Sequence, residues 1–423
     1  KLDLNQLAKT VEQQFAGVLP ALVRKEQVEK RGVNSDHFTF DIELYNTDNI
    51  FAIFLPTVRI APKTTIKGMY FGDELHFTAD LNSDKVEIGE TYFDELSISQ
   101  DIDSTSLSMV INADKYTYND SLKFYDVQFK TTGADDQLLH ILTWNGKKES
   151  TSNISWSTAI MDWEHLHMCI DPSYFHIKDH RWDIAHESSV RVLGDTIEVD
   201  FFELTRGAQQ VKVEGAISSL DKHHLNFNID NFDVSEVGQF ISSEYSLEGT
   251  LNGWGFVSTP FDTINFEGDA ALFEFKVKEE EVGDVYVQSF WKPDTKSIHA
   301  TGDLIYKNAE TFSFDGDYYV QKTDNSLDFD LVFDYTDIEV ANAFMDPDVM
   351  SEIKGILEGK IKLHGTPSHP ITEGTLNLYG GSVLVDLLGA HFMAEGAIEV
   401  DEYGLYANNI PVYDEEGNAG GLI

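Results

Sequence analysis

The sequence predicts an all-β protein of antiparallel strands, and three observations carry that prediction. From His37 onward apolar residues recur at every second position, the period of a pleated strand with one dry and one wet face. Clusters of Gly, Pro, Asn and Asp interrupt the alternation at short intervals, as turns between strands do. A unit of roughly a hundred residues occurs twice in the second half, and internal repetition of that kind marks a repeat architecture. A sandwich or barrel of such strands, or one long antiparallel sheet coiling along its own axis, would produce the same signal.

The elements follow in order. Leu4, Leu7, Val11, Phe15, Val18, Leu19 and Leu22 recur at helical steps and predict an amphipathic helix within residues 1–32, kinked or divided at Pro20, that packs on or caps the sheet. Arg24, Lys25, Lys30 and Arg31 form the densest basic cluster, a solvated helix end where cations suit the dipole. Phe38/Phe40/Ile42/Leu44 begins the strands, and Leu75/Phe77/Ala79/Leu81, Leu107/Met109/Ile111 and Ile197/Val199/Phe201 continue them. The residues between are mostly Asp, Glu, Lys, Asn, Thr or Ser. Residues 33–189 thus read as an irregular β region and 190–423 as repeats, in approximate units 190–310 and 311–423.

The repeat centres on Gly355–Val385. Two alternating strands there, Gly359 to Leu363 and Gly374 to Leu378, flank a turn containing Gly365, Thr366, Pro367 and Pro370. An earlier copy aligns Glu248-Gly249 with Glu358-Gly359, Thr259-Pro260 with Thr366-Pro367, and Glu267-Gly268 with Glu373-Gly374. Upstream of each copy lies an alternating strand. A short segment follows it, Asp233–Ile241 in one copy and Asp337–Met345 in the other, each predicted to form two helical turns over the sheet. The C-terminal run from Gly396 to Ala419 adds a hairpin ending in Asp414-Glu415-Glu416-Gly417-Asn418.

In this order the motifs resemble the TamB/AsmA-like repeat proteins of Gram-negative envelopes, clearly from about Val190 and more loosely before it. The resemblance implies a coiled antiparallel β-sheet trough, of the β-taco or repeating β-groove kind. It also implies a periplasmic location and phospholipid carried between the inner and outer membranes in support of outer-membrane biogenesis. A partner of the outer-membrane assembly-barrel (TamA-like) type and an inner-membrane anchor outside these residues go with it. No cofactor and no catalytic residue are implied.

Composition narrows the alternatives. Among 423 residues, 73 Asp and Glu against 30 Lys and Arg give a formal net charge of −43. Nucleic acid is thereby disfavoured, because phosphate binding needs clustered cations. Hydrophobic residues at 42% supply enough apolar surface for a folded chain. One cysteine, Cys169, rules out an internal disulfide framework. No secretory leader or long apolar run is present. The abrupt start at Lys1 and the stop at Gly420–Ile423 within a strand pattern predict a piece of a longer protein.

Three constellations raise chemistry and are read as structural. His165, His167 and Cys169 would share one face of a strand, with His176 and His180 nearby, but no C-x-x-C or H-E-x-x-H accompanies them. Asp315/Asp317, Asp328/Asp330 and Asp334 alternate with apolar residues and lack the glycine turn and closing Glu of a calcium loop. A glycosidase carboxylate pair is not singled out by any local context. Phosphate-loop and nucleophile-elbow motifs are absent. The chain reads as non-enzymatic, without metal or cofactor.

The dry face carries the functional expectation. Its inward set is Leu225, Phe227 and Ile229; Phe273, Phe275 and Val277; Phe312 and Phe314; Leu327, Phe329, Leu331 and Phe333; Ile361 and Leu363; and Leu376 and Leu378. A single-layer sheet leaves these residues nothing to pack against, so they line an apolar groove for acyl chains unless a second layer covers them. Two other functions fit the same residues. One is a scaffold for outer-membrane protein assembly, pairing a sheet edge with a barrel strand. The other is an all-β carbohydrate-binding protein with Trp144, Trp156, Trp163 and Trp182 as stacking platforms.

Overall fold

The structure, a computed structural model, describes residues 16–22, 37–45, 55–118, 122–146, 150–177, 180–220, 222–236, 246–258, 265–345, 349–386, 388–407 and 410–422. The class predicted from alternation is the one found. Among the described residues there are 28 strands and only short helical turns, and the strand registers run antiparallel. The chain divides into two compact units, Lys1–Gly207 with Lys212–Ala216, and Ala208–Val211 with Ile217–Ile423.

In the first unit, strands from His37–Leu44 to Thr196–Arg206 build one antiparallel sheet, paired mostly in chain order. Partners directly opposite share a face, and one such row runs Tyr70, Phe77, Ile102, Leu107, Gly133, Leu138. The chain's own N-terminal segment lies on this row. Val18 and Leu19 are buried against Ile102, with Phe77, Leu107, Leu138 and Ile160 packed around them. Two bonds fasten it: the Asp136 amide donates to the Val18 carbonyl (3.0 Å), and the Ala21 amide to Asp136 Oδ1 (2.9 Å). Of the helix predicted over 1–32, only 16–22 is described, as one helical turn followed by a 3-10 turn, Pro20–Leu22. Proline fixes φ and lacks an N–H, so it divides the segment there. The rest of that prediction, including Arg24, Lys25, Lys30 and Arg31, lies outside the described residues.

In the second unit nine strands from Leu225–Asp233 to His369–Val385 pair strictly in order. Those predicted as Gly359 to Leu363 and Gly374 to Leu378 are far longer, Ser351–Thr366 and His369–Val385, joined by the tight turn at Pro367-Ser368. Most of the nine strands carry a register shift at a similar height. They fall between Ile229 and Phe232, Glu248 and Thr250, Leu272 and Phe275, Phe333 and Thr336, and Leu378 and Gly381. Bulges bend strands and sharpen their twist, so a line of them creases the sheet.

The repeat is structural as well as textual. Asp233 Oδ1 accepts the Ser235 amide and Asp337 Oδ1 the Glu339 amide, both at 3.0 Å. Each return strand then takes an equivalent bond, from the Val234 amide to the Gly249 carbonyl (3.0 Å) and from the Ile338 amide to the Gly355 carbonyl (3.1 Å). This moves one alignment: Gly249 corresponds to Gly355, not to Gly359. Both glycines have φ near +143°, and a Cβ at either would lie 3.1 Å from a leucine, Leu272 or Leu378. Gly359 has the same kind of backbone and a leucine as close (φ 149°, Leu376 at 3.1 Å), so it is the hydrogen bond from Ile338, not the glycine geometry, that selects Gly355. The insert expected over Asp337–Met345 is a 3-10 helix, Glu339–Phe344. Its counterpart beyond Glu236 lies outside the described residues.

Candidate functional site

Register places fifteen of the sixteen predicted inward residues on one face of the second unit. One row reads Phe227, Gly255, Gly268, Ser289, Ala300, Gly316, Phe329, Leu363, Thr372, each directly opposite the next. The next reads Ile229, Gly253, Ala270, Val287, Gly302, Phe314, Leu331, Ile361, Gly374. Beside them lie Leu272, Val285, Leu304, Phe312, Phe333, Gly359 and Leu376. Leu225, Leu327 and Leu378 extend the same face along their strands, and Phe275 and Val277 rejoin it past the bulge.

Sequence reasoning did not anticipate the small residues between the large ones. Phe227, Phe314 and Phe329 lie over Gly255, Gly302 and Gly316, so that a Cβ on any of these glycines would fall within 2.5 Å of a ring carbon. Aromatic cover of strand glycines keeps such strands paired despite their weak propensity. The result is a shallow apolar strip running across the strands, with a floor of Gly, Ala and Ser. Phe312 meets Phe333 edge to face at 5.0 Å, and Phe314 meets Phe329 at 6.1 Å. Val277, Ile361 and Leu376 are buried, and the other members of the set are half-buried.

Phe273 is the exception. The bulge after Leu272 puts Glu274 at φ 51°, its amide donating to Asp284 Oδ1 (2.8 Å). The extra residue turns Phe273 to the opposite face, against Tyr286 (5.9 Å, 88°). Strict alternation from Phe273 to Phe275 cannot reveal an inserted residue.

The opposite face is polar and ion-paired. Asp328 faces Asp317 and Asp330 faces Asp315 across neighbouring strands. Lys362 bridges Asp328 and Asp330 at 2.6 and 3.2 Å, and its pKa is raised, chiefly by the Asp328 hydrogen bond. Lys292 reaches Asp317 at 3.1 Å, and Ser297 donates to the same carboxylate. Burial alone would raise the Asp317 pKa, yet Lys292 and Ser297 outweigh it and hold it below the ordinary value.

In the first unit His165 lies 2.8 Å from Asp162, His167 is 2.7 Å from Ser189, and Cys169 Sγ is 3.5 Å from His167 Nε2. Among the described residues no group of three or more His, Cys, Asp or Glu is placed to share a metal. Of the four tryptophans weighed as platforms, Trp144 and Trp182 are buried and Trp156 stacks on His140 at 4.9 Å. Trp163 is exposed, its indole N–H donating to the Leu22 carbonyl (2.8 Å).

No protein-family model, curated protein or solved structure matches the chain. Among the described residues no helix is long and apolar enough to cross a membrane.

Proposed function

We propose that the apolar face of the second unit carries phospholipid acyl chains, as part of a TamB/AsmA-like envelope protein. In that reading it works in the periplasm between the inner and outer membranes, with a TamA-like barrel as outer-membrane partner and an anchor outside these residues. The observation that supports it is the half-buried apolar face that continues through nine paired strands. The first unit offers a parallel: there the same kind of row is covered by Val18 and Leu19.

Magnitudes suit a carrier rather than a store. Eight methylenes leaving water release roughly 6 kcal/mol. Association consumes at least about 4 kcal/mol of that, so a chain lying on the strip is held weakly and slides. A non-directional contact adds no high barrier between neighbouring positions.

Native mass spectrometry of the purified chain, expressed in a Gram-negative host, tests the proposal. Co-purified phospholipid is expected, and it is expected to be lost in Phe329→Asp and Phe275→Glu. A folded chain that is lipid-free and stays so after incubation with phospholipid vesicles overturns it.

A further inference from the structure

The polar face of the second unit carries a cavity of about 710 Å³ over the strands from Leu225–Asp233 to Ala309–Tyr319. Its origin is a size mismatch in one row. Ala271 stands between Asn252 and Tyr286 and leaves a gap where its neighbours are large. Trp254, 44% exposed, walls the gap from the adjoining row, where it pairs with Asp269, itself opposite Gln288. Phe273, turned to this face by its bulge, braces Tyr286 edge to face.

The chemistry of the lining is mixed. Carboxylates (Asp230, Asp269, Asp303, Glu310) stand among neutral hydrogen-bonding groups (Asn228, Asn252, Gln288, Thr301), and among the described residues no lysine or arginine lines the cavity. Anionic ligands are therefore repelled. Trp254 and Phe290, 44% and 45% exposed, leave large rings open on this face, and an exposed indole beside a polar lining is a surface on which a flat apolar patch can stack. Trp254 and Tyr286 are two strands apart, roughly 10 Å at ordinary strand spacing. That separation leaves a single ammonium midway about 5 Å from each ring, within the roughly 6 Å of a cation–π contact, so a cation is the rival ligand. The same separation also spans two ring faces. It matches a ligand with more than one flat apolar patch, each rimmed by hydroxyls.

We infer that this cavity binds a neutral oligosaccharide, with Trp254 and Tyr286 stacking on the first and third of three successive sugar rings while Asp269, Gln288, Thr301 and Asp303 hydrogen-bond their hydroxyls. Phe273 is a positioning residue that fixes the Tyr286 ring. The inference does not rest on the lipid reading: the two share the strands at Ile229, Gly253, Ala270, Val287 and Gly302, which also line the cavity, but Trp254, Tyr286, Asp269, Gln288, Thr301 and Asp303 belong to the opposite face.

Saturation-transfer NMR and calorimetry on the whole chain, with maltotriose, cellotriose and mannotriose as probes, provide the test, with spermidine as the rival cation. At least one sugar is expected to bind, and Trp254→Ala to weaken it about tenfold or more. Phe273→Leu is expected to weaken it less while leaving the Trp254 fluorescence response to sugar in place. Circular dichroism and a matching melting temperature establish that each variant is folded. No saturation transfer to any of the three sugars at millimolar concentration overturns the inference. So does Trp254-dependent binding of spermidine that is tighter than any sugar, or sugar binding that Trp254→Ala leaves unchanged.

Discussion

Gly255→Ala should destabilise the second unit by about 2 kcal/mol, and the structure says why. An added Cβ would lie 2.3 Å from Phe227 Cζ and 2.7 Å from Cε2, with the Glu267 carbonyl oxygen at 2.9 Å. Both contacts are closer than a Cβ tolerates: the backbone oxygen shifts only with its strand, and the ring must swing away. Displacing it uncovers roughly 50 Å² of the 150–250 Å² an aromatic side chain buries. At about 25 cal/mol per Å² that costs about 1.2 kcal/mol. An off-rotamer ring adds about 0.5–1.5 kcal/mol. Phe227→Leu removes the obstructing ring carbons at a modest cost of its own, so Gly255→Ala/Phe227→Leu should be more stable than the sum of the single changes by about 1 kcal/mol. Urea denaturation followed by far-ultraviolet circular dichroism measures all four chains, and an unchanged m-value licenses the comparison. A neutral Gly255→Ala, or a double variant that is additive within about 0.3 kcal/mol, refutes the ring-on-glycine account.

Two further outcomes are expected. Ile102→Ala empties the space between Val18, Leu19 and the sheet and should cost about 2–5 kcal/mol; hydrogen exchange should quicken at the Asp136 and Ala21 amides, and unchanged exchange there refutes the packing of 16–22. Asp317, its folded pKa lowered, contributes stability that is present above its unfolded pKa and is lost as pH falls from about 4 through the folded value. Asp317→Asn should flatten that part of a plot of melting temperature against pH, and curves that stay parallel to wild type refute the linkage.

Much of the architecture was legible in the residues themselves. Alternation is a local property: a side chain's face follows from its parity along one strand, so Phe227 and Ile229, or Phe329 and Leu331, could be assigned together without knowing any partner. Strand lengths were less legible, because Ser351–Thr366 runs on through glycines and charged residues that weaken the pattern. Phe273 went to the wrong face because a bulge is decided by hydrogen bonding with the next strand. The Trp254 cavity had no textual signal at all: Trp254, Ala271 and Tyr286 sit on three separate strands.

The sequence by itself determined that this chain is all-β, that each strand has a dry and a wet side, and that most of the large apolar residues of the second half share the dry one. These follow from the two-residue period and from turn chemistry, which need no long-range information. Only the tertiary structure decided register. Register put rings over Gly255, Gly302 and Gly316, aligned Gly249 with Gly355, creased the sheet along a line of bulges, and opened a gap above Ala271. It is set by hydrogen bonds between strands and by whether neighbouring side chains fit, and neither is a property of any one strand.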